Sequence, residues 1–508
     1  MLRLALPRLI LLRVLVAQSA AHTNDHCSCH SVKSKTFTRL MFERGFRAAA
    51  AHRAPSNLKL SPPPRRDLMK PVLEELWRSL RAERRQVTTA DGAARELARA
   101  LNETGDWVLV YNNRVYVPTE FYHAADHARH VTMIRESAAL LGLPNAIYAV
   151  NTGTRGPSGC NGRPVSLTIN KQSGYEQCGV LIPNIFFDNT HGSLIRWARE
   201  TEAVSHDAVP FRERRPVAFF RGSLHHDTWD TDEACASTAF GNYARLQAFA
   251  AAVEHPDLVD AACVDGGDTK TKCRVPPPQC VGSVEDYNSG LAEGEDVHGE
   301  HARFDTFRRS KYLLLLPGAF TGSYSKNANH LWRTGGVVLR WVAPYVEWYT
   351  PALVPGANYL DVSRHSVAET VRALEANPAA AEAIGRAGRE IHDQLLCPLC
   401  LANWLRTTLE AYHEHLGLEL VLGHPAEASK FFRAHLPCDR MIEVMREGHP
   451  RARPMNADDP FHPCRRGGPL ANGSWWSADH AAASEQLRQA EAGEAPLGGT
   501  ARKHLGLS

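Results

Sequence analysis

A strand–helix–strand pattern between residues 311 and 349 constrains the fold more than any other segment of the chain. An apolar run from Lys311 to Leu316 ends at Pro317-Gly318, and a second β-branched run, Val337 to Val342, follows Gly335-Gly336. The order strand, loop, helix, glycine and strand is typical of two parallel strands joined by a crossover helix. The segment therefore predicts an α/β fold with a parallel sheet.

The loop after the first of these strands is rich in glycine and small polar side chains. The groups in it that suit an anion are Gly318, Gly322, Ser323, Ser325 and Lys326. Ligands of open parallel sheets bind at the carboxyl ends of strands, where free N–H groups and a helix dipole favour negative charge. We therefore predict that the loop binds the phosphate or pyrophosphate of a nucleotide-type ligand. The alternative is an ordinary turn, since glycine and serine are common turn formers.

Two nucleotide-binding signatures are missing from the sequence. The chain has neither G-x-x-x-x-G-K-[ST] nor a G-x-G-x-x-G that opens a helix. An ATPase and a simple dinucleotide dehydrogenase are therefore disfavoured.

Length, charge and cysteine usage limit the class of protein further. The 508 residues are enough for two or three domains, and the net charge of +3 gives no reason to expect a nucleic-acid partner. Residues 1–21 resemble a secretory signal peptide, with an organellar transit peptide as the alternative, and allow at most a short N-terminal membrane anchor. The twelve cysteines favour disulfides in an oxidising compartment. We expect a protein of the lumen of the endoplasmic reticulum or Golgi, or a secreted one.

Three short patterns have the residue types of a metal site, and none of them predicts one. Asp230-Thr-Asp232 and His225-His226 lie in a polar stretch without an obvious strand, so a solvated loop is favoured for both. Cys397-Pro-Leu-Cys400 has no second C-x-x-C to complete a zinc site, so a disulfide or a plain loop is favoured over metal or redox chemistry. We predict no metal site.

The remaining patterns predict a doubly wound α/β protein of two domains. We expect an N-terminal domain at 67–205 and a second domain at 206–425, with a stem at 22–66 and a largely disordered extension at 426–508. In the first domain, two alternating runs on either side of Asn112-Asn113 predict a hairpin. A helix at about 130–141 and the strand Ala146 to Val150 follow it.

The second predicted domain starts with the apolar strand Val217 to Phe220, which opens into Arg221-Gly222-Ser223. An arginine at a sheet's carboxyl end can make a bidentate contact with a diphosphate. An interdomain salt bridge is an equally favoured alternative for Arg221. Glu347, just after the second strand of the βαβ unit, can accept hydrogen bonds from ribose hydroxyls. Its alternative is a surface carboxylate.

The candidates for a general base come from the first domain. Asp188 and His191 follow the strand-like stretch Leu181 to Phe187, and either side chain can take up a proton. We expect them to face the phosphate-binding loop across a cleft.

Several segments in sequence order together resemble one known family. They include Ile182 to Phe186, Pro216 to Ser223, Ser323 to Lys326, Gly335 to Leu339 and Pro344 to Tyr349. This set is similar to the capsule-associated and protein O-glucosyltransferase family, glycosyltransferase family 90, over roughly residues 107–400.

The resemblance implies two Rossmann-like domains facing a cleft (the GT-B arrangement) and inverting transfer of a sugar, usually glucose or xylose, from a UDP-sugar to a hydroxyl of a protein or glycan. It implies no cofactor beyond the UDP-sugar co-substrate and no strict need for a divalent metal. Carried over by position, Arg221 and Ser223 contact the diphosphate, Gly318, Ser323, Ser325 and Lys326 hold phosphate and sugar, and Glu347 lies near the ribose.

The sequence departs from the family pattern at two positions. Thr154 stands where the family usually has the aspartate that takes the acceptor proton, and a threonine hydroxyl is no base at neutral pH. Lys326 stands where animal relatives often have arginine, and lysine cannot make the bidentate contact that arginine makes. Asp188 and His191 are then the candidates for the base. The alternatives are an exostosin-like glycosyltransferase and a protein that binds a glycan or nucleotide sugar without catalysis.

Overall fold

The computed structural model describes the residues in the following ranges: 67–83, 87–104, 107–111, 114–118, 125–152, 166–172, 179–187, 192–206, 209–224, 244–264, 273, 299–300, 304–318, 327–343, 345–422, 431, 434–436, 441–444 and 452–454. The predicted signal peptide and stem lie outside these residues.

The helices are α1 (Met69–Glu83), α2 (Ala90–Thr104), α3 (Ala125–Leu141), α4 (Leu194–His206), α5 (244–254), α6 (Phe304–Phe307), α7 (Ala328–Trp332), α8 (Val367–Ala376), α9 (Pro378–Ile391), α10 (Pro398–Leu416) and α11 (Glu419–Leu422). The strands are β1 (Trp107–Tyr111), β2 (Arg114–Pro118), β3 (Ala146–Asn151), β4 (Leu167–Thr168), β5 (Lys171–Gln172), β6 (Val180–Leu181), β7 (Arg215–Gly222), β8 (Val259–Cys263), β9 (Ser310–Leu315), β10 (Val337–Trp341), β11 (Tyr345–Val346), β12 (Leu360–Val362), β13 (Met441–Val444) and β14 (Ala452–Pro454).

The chain forms two compact units, and each is made of separate stretches of sequence. The parallel-sheet unit contains the described residues of Val209–Tyr345 and Val354–Arg389. The mixed-sheet unit contains those of Arg65–Ala208, Val346–Leu353 and Glu390–Ser508. The second predicted domain, 206–425, is therefore divided differently in the structure. Two of its stretches join the mixed-sheet unit because α10 packs on α3 and Trp348 stacks on Trp404.

The sheet of the parallel-sheet unit has five strands in the order β12-β10-β9-β7-β8, and every neighbouring pair is parallel. Val337 of β10 pairs with Tyr312 of β9, so the predicted βαβ unit is confirmed. Numbered along the chain, the strand order is flavodoxin-like, with the direction of strand addition reversing between β7 and β9. In such sheets, ligands bind at the carboxyl ends of the two strands at that switch point.

Apolar side chains of the strands and helices close the core of this unit. Phe220 of β7 packs near Phe249 of α5, and Val367, Val371 and Leu374 of α8 are buried together in the same cluster. The predicted apolar stripe on α8 is therefore confirmed.

The mixed-sheet unit has a seven-stranded sheet in the order β14-β13-β2-β1-β3-β4-β6. Tyr111 pairs with Arg114 in the antiparallel β1–β2 pair, which confirms the predicted hairpin. Only the β3–β4–β6 side is parallel. The α/β class is confirmed. Among the described residues this unit has a mixed sheet and not the parallel sheet of a Rossmann-like domain, because the short connection between β1 and β2 makes them antiparallel neighbours.

Two further features bear on the predicted organisation. β13 pairs with β2 and β14 with β13, so part of the predicted C-terminal extension completes this sheet. Disulfides join Cys263 to Cys273 and Cys397 to Cys400, and the second is the disulfide favoured from the sequence. None of the helices that the structure describes is both long and apolar enough to cross a bilayer.

Candidate functional site

The parallel sheet brings three of the predicted ligand-binding residues to one edge. Arg221 and Ser223 lie at the end of β7, and Gly318 lies three residues after β9. Since β7 and β9 are parallel neighbours, their carboxyl ends meet at the switch point of the sheet. The other predicted residues of this loop, Ser323, Ser325 and Lys326, are outside the described residues. So are both base candidates, Asp188 and His191, the metal patterns at 225–232, and Thr154.

A buried arginine that the sequence analysis did not single out joins the two strand ends. Arg245 of α5 donates from Nε to the Pro317 carbonyl oxygen (3.1 Å) and from Nη1 to the Ser223 carbonyl oxygen. Its guanidinium carbon lies 5.5 Å from the centroid of the Phe220 ring. Only 7% of the residue is exposed. Arg245 therefore fixes the residue after β7 relative to the residues after β9.

The charge of Arg245 has no acidic counterpart in the described part of the chain. Both hydrogen bonds go to neutral carbonyl oxygens, and no described carboxylate forms an ion pair with it. Burial lowers the pKa of Arg245 to about 10, so the side chain still carries its proton at neutral pH. A buried charge is costly unless it is paired. The ends of β7 and β9 are therefore a candidate site for an anion, whose charge would balance that of Arg245.

Steric crowding at the end of β7 explains why a glycine stands at position 222. A Cβ at Gly222 would lie 2.6 Å from Cζ of Phe220 and 3.2 Å from Nη1 of Arg245. Both distances are shorter than ordinary van der Waals contact, so a larger residue at position 222 would have to displace the Phe220 ring and the Arg245 guanidinium.

Arg221 itself is ion-paired within the same unit. Its Nη2 donates to Oδ1 of Asp260 (2.6 Å), and its Nη1 donates to the carbonyl oxygens of Phe220 and Asp260. Arg215 also donates to the Asp260 carboxylate (2.7 Å). Burial raises the pKa of Asp260, but the two arginines outweigh it, and the pKa lies below its usual range. The salt-bridge alternative is therefore present, although its partner is a residue of the same unit.

Glu347 belongs to the mixed-sheet unit, where its carboxyl is buried. Nδ2 of Asn184 donates to Oε2 of Glu347, and Oδ1 of Asn184 accepts from the backbone N–H of Phe186 (3.0 Å). Burial raises the pKa of Glu347 to about 7, against the opposing effect of hydrogen bonds from Asn184 and Tyr349. Since only 8% of Glu347 is exposed, it is not the surface carboxylate of the alternative interpretation.

The described residues form no metal centre. Among them, no group of three or more histidine, cysteine, aspartate or glutamate side chains is arranged to hold an ion.

The structure adds Arg245 and Asn184 to the residues proposed from the sequence. The sequence does contain a signal for Arg245. In the helical stretch from Ala244 to Val253 it is the one charged residue, and Gln247 is the one other polar residue. Asn184 lies within Ile182 to Phe186, one of the segments that carry the family resemblance, but nothing in the sequence indicates its contact with Glu347, 163 residues away along the chain.

Comparison with protein families agrees with these features. The model of glycosyl transferase family 90 matches residues 176–469, which is more than half of the chain. The chain belongs to glycosyltransferase family 90. The family 90 match includes every strand of the parallel sheet, together with Asn184, Arg245 and Glu347. Membership of the family indicates a glycosyltransferase. No individual curated protein matches the chain.

Proposed function

We propose that this family 90 protein transfers glucose or xylose from a UDP-sugar to a hydroxyl of a protein or glycan acceptor, with inversion at the anomeric carbon. The observation that carries the proposal is the buried, positively charged Arg245, which bridges the carboxyl ends of β7 and β9. This is the position in a parallel sheet at which a nucleotide diphosphate is expected.

The donor is held through its diphosphate. Arg245 provides a fixed positive charge, and its bonds to the carbonyls of Ser223 and Pro317 shape the two strand ends around the anion. The Ser223 hydroxyl, the backbone at Gly318, and Ser323, Ser325 and Lys326 of the following loop add donors. Arg221 adds positive charge beside them. Preorganised charge of this kind stabilises the charge that develops on departing UDP.

The reaction is a single displacement. The acceptor oxygen bonds to the anomeric carbon while the bond from that carbon to the β-phosphate oxygen breaks, and UDP leaves with the electron pair. Asp188 or His191 takes the acceptor proton, because Thr154 cannot do so at neutral pH. Glu347 accepts a hydrogen bond from a ribose hydroxyl through oxygen lone pairs that its hydrogen bonds with Asn184 and Tyr349 do not use.

The setting of the reaction is the lumen of the secretory pathway. The Cys263–Cys273 and Cys397–Cys400 disulfides support an oxidising compartment. No metal enters the proposed reaction, because charge compensation is assigned to arginine and lysine.

The test is UDP release from UDP-glucose and from UDP-xylose, with and without panels of folded extracellular repeats and glycans as acceptors. We expect UDP release that depends on the acceptor, with a product heavier by one sugar in mass spectrometry and of inverted anomeric configuration by NMR. Failure to bind UDP or UDP-sugars would contradict the proposal.

One alternative function is supported by a particular residue. Thr154 at the usual aspartate position favours a protein that binds nucleotide sugar without transferring it. That alternative would be established by a protein that binds UDP-sugar but transfers it to no acceptor, and whose affinity for UDP-sugar is unchanged by Asp188→Ala or His191→Ala.

A further inference from the structure

Two cysteines three residues apart form a disulfide at the start of α10, the longest of the described helices. Cys397 is the N-cap of this helix, and Cys400 lies in its first turn, after Pro398 at the first helical position. Both cysteines are partly exposed, whereas Cys263 and Cys273 of the other described disulfide are 0% and 4% exposed. The Cys397–Cys400 disulfide is therefore within reach of a reactant from solution.

Other contacts already hold this part of the chain in place. Nε1 of Trp197 in α4 donates to the Leu396 carbonyl oxygen (2.7 Å), and the Trp197 and His392 ring centroids lie 5.7 Å apart. A disulfide stabilises a fold mainly by closing a loop of the unfolded chain, and the effect is smallest for short loops. Because this loop spans a separation of only three residues, against ten for Cys263–Cys273, stability is a weak reason for the disulfide.

The start of the helix favours the reduced form of Cys397. Its Sγ accepts the backbone N–H of Cys400 (3.0 Å), as the side-chain oxygen of a serine or aspartate does at an N-cap. Reduction turns this sulfur into a thiolate, which places a full negative charge at the positive end of a 19-residue helix. The hydrogen bond is therefore stronger in the reduced protein than in the oxidised protein.

The second sulfur has a different neighbour. Sγ of Cys400 lies 3.5 Å from the Asp393 carbonyl oxygen, within the π-helical turn His392–Leu396 that precedes α10. A thiol at Cys400 can donate to that oxygen, whereas a disulfide sulfur has no proton to donate. Each sulfur thus gains a better hydrogen bond on reduction, and a disulfide whose reduced form is stabilised is a stronger oxidant.

We propose that Cys397 and Cys400 form a thiol–disulfide exchange site, whose disulfide oxidises a pair of cysteine thiols in a peptide or protein substrate. The C-x-x-C spacing alone does not favour redox chemistry, but the exposure and the separate hydrogen-bond partners of the two sulfurs do. The inference goes beyond sugar transfer and does not depend on the proposed function.

The exchange balances in atoms and electrons. A thiolate of the substrate attacks Sγ of Cys400, the disulfide bond breaks, and its electron pair passes to Sγ of Cys397, where the helix start stabilises the thiolate. The second substrate thiolate then attacks the substrate sulfur of the mixed disulfide and releases Cys400. The substrate is oxidised to a disulfide and the Cys397–Cys400 disulfide is reduced, while the two substrate protons pass to Cys400 and to solvent.

The first test compares the two described disulfides within the folded wild-type protein. The protein is equilibrated with mixtures of reduced and oxidised glutathione, and the free thiols are alkylated and quantified at each cysteine by peptide mass spectrometry. We expect the equilibrium constant for reduction of Cys397–Cys400 to exceed that of Cys263–Cys273 at least about 100-fold, with native far-UV circular dichroism retained. Reduction of both disulfides at the same glutathione ratio, or only with loss of the native spectrum, would overturn the proposal.

Two single variants test the role of the helix start. In Cys400→Ser, alkylation of Cys397 by iodoacetamide should be half-maximal at least about one pH unit below the ordinary thiol value of about 8.5. In Cys397→Ser, which keeps an N-cap oxygen, Cys400 should react at a higher pH. The titratable groups His392 and Asp393 of the preceding turn, whose side chains lie 2.9 Å apart, are the same in both variants. Equal midpoints for the two thiols would contradict the proposal.

The activity itself is measured with a peptide that contains two cysteine thiols. Oxidised wild-type protein should convert the peptide to its disulfide at least about tenfold faster than the double variant with Cys397→Ser and Cys400→Ser. Wild-type protein should leave this reaction with free thiols at both positions, as mass spectrometry can show. A double variant that oxidises the peptide as fast as wild type does would assign the oxidation to other cysteines and overturn the proposal.

Discussion

The two ends of the parallel sheet each hold a buried arginine that bonds two backbone carbonyls, yet only one end has the features of a binding site. At the amino end, Arg214 donates from Nε to the Val209 carbonyl and from Nη2 to the Thr334 carbonyl, both at 2.9 Å. At the carboxyl end, Arg245 bonds the carbonyls of Ser223 and Pro317 in the same way. Burial lowers the pKa of both side chains.

The difference lies in what surrounds each charge. Thr334 comes two residues after α7 ends, so Arg214 is placed where a helix C-terminus presents partial negative charge. At the carboxyl ends of parallel strands, helices begin and partial positive charge accumulates. Arg245 therefore adds to a positive field, whereas Arg214 neutralises a negative one. Similar guanidinium contacts serve packing at the amino end, whereas the carboxyl end is where we propose that an anion binds.

The largest expected effect separates these two arginines directly. Both Arg245→Gln and Arg214→Gln remove a buried charge and are expected to lower the melting temperature to a similar extent. Only Arg245→Gln should weaken UDP binding, by about thirtyfold or more, since a charge-assisted contact contributes about 2 kcal/mol or more. Isothermal titration of folded protein with UDP and with uridine measures this.

Uridine supplies the internal control for that experiment, because it lacks the diphosphate. Its affinity should change less than about threefold in either variant. Equal losses for UDP and uridine, or equal losses in the two variants, would show that Arg245 has no role beyond packing.

The second test adds one methyl group at either end of the sheet and leaves all charges unchanged. Gly222→Ala brings a methyl group against Phe220 and Arg245, and it is expected to reduce UDP affinity about tenfold. Gly385→Ala is the counterpart at the amino end, where the new Cβ would lie 2.6 Å from the Gly335 carbonyl oxygen. It should cost about 1–3 kcal/mol of stability with UDP affinity retained.

Chemical denaturation and UDP titration of the two glycine variants measure these effects. A Gly222→Ala protein that binds UDP as wild type does would mean that the Arg245 contact can shift without affecting the donor site.

The last test concerns a buried ionisable group outside the parallel sheet, and it measures stability against pH instead of ligand affinity. The pKa of Glu347 is raised to about 7 by burial, whereas in the unfolded chain it takes its usual value of about 4.5. The folded state then holds its proton more tightly, so the stability contributed by this group is full below about pH 4.5 and falls as the pH rises to about 7. The total is on the order of 3 kcal/mol.

Glu347→Gln removes this dependence while it keeps a carbonyl oxygen for Asn184. We expect the variant to match wild type near about pH 4 and to exceed its unfolding free energy at about pH 8, as measured by urea denaturation. A difference that does not change with pH would show that Glu347 keeps an ordinary pKa in the folded protein.

Most of the parallel-sheet unit could be predicted from the sequence. The run Lys311 to Leu316, the paired glycines 335–336 and the stripe on α8 are local patterns, and local patterns determine local elements. The hairpin at β1 and β2 was predictable for the same reason. The βαβ pattern also placed Arg221, Ser223 and Gly318 at strand ends, because parallel strands align their carboxyl ends.

The remainder depends on contacts between distant parts of the chain. The sheet order that puts β7 beside β9 involves residues about a hundred positions apart, and no local pattern encodes it. The ion pair of Arg221 with Asp260 and the bond of Asn184 with Glu347 are of the same kind. The addition of β13 and β14 to the mixed sheet was also missed, since short strands in a polar tail give little periodicity.

The interleaving of the two units along the chain limits how the protein can be divided in practice. A fragment that stops at residue 205 lacks Trp404, Glu347 and the strand β13, so it leaves an open sheet edge and unfilled packing sites. Exchanging one unit with that of another family member requires cuts at several junctions, among them those on either side of Val346–Leu353. Chimeras made by a single crossover should therefore aggregate instead of acquiring a new acceptor.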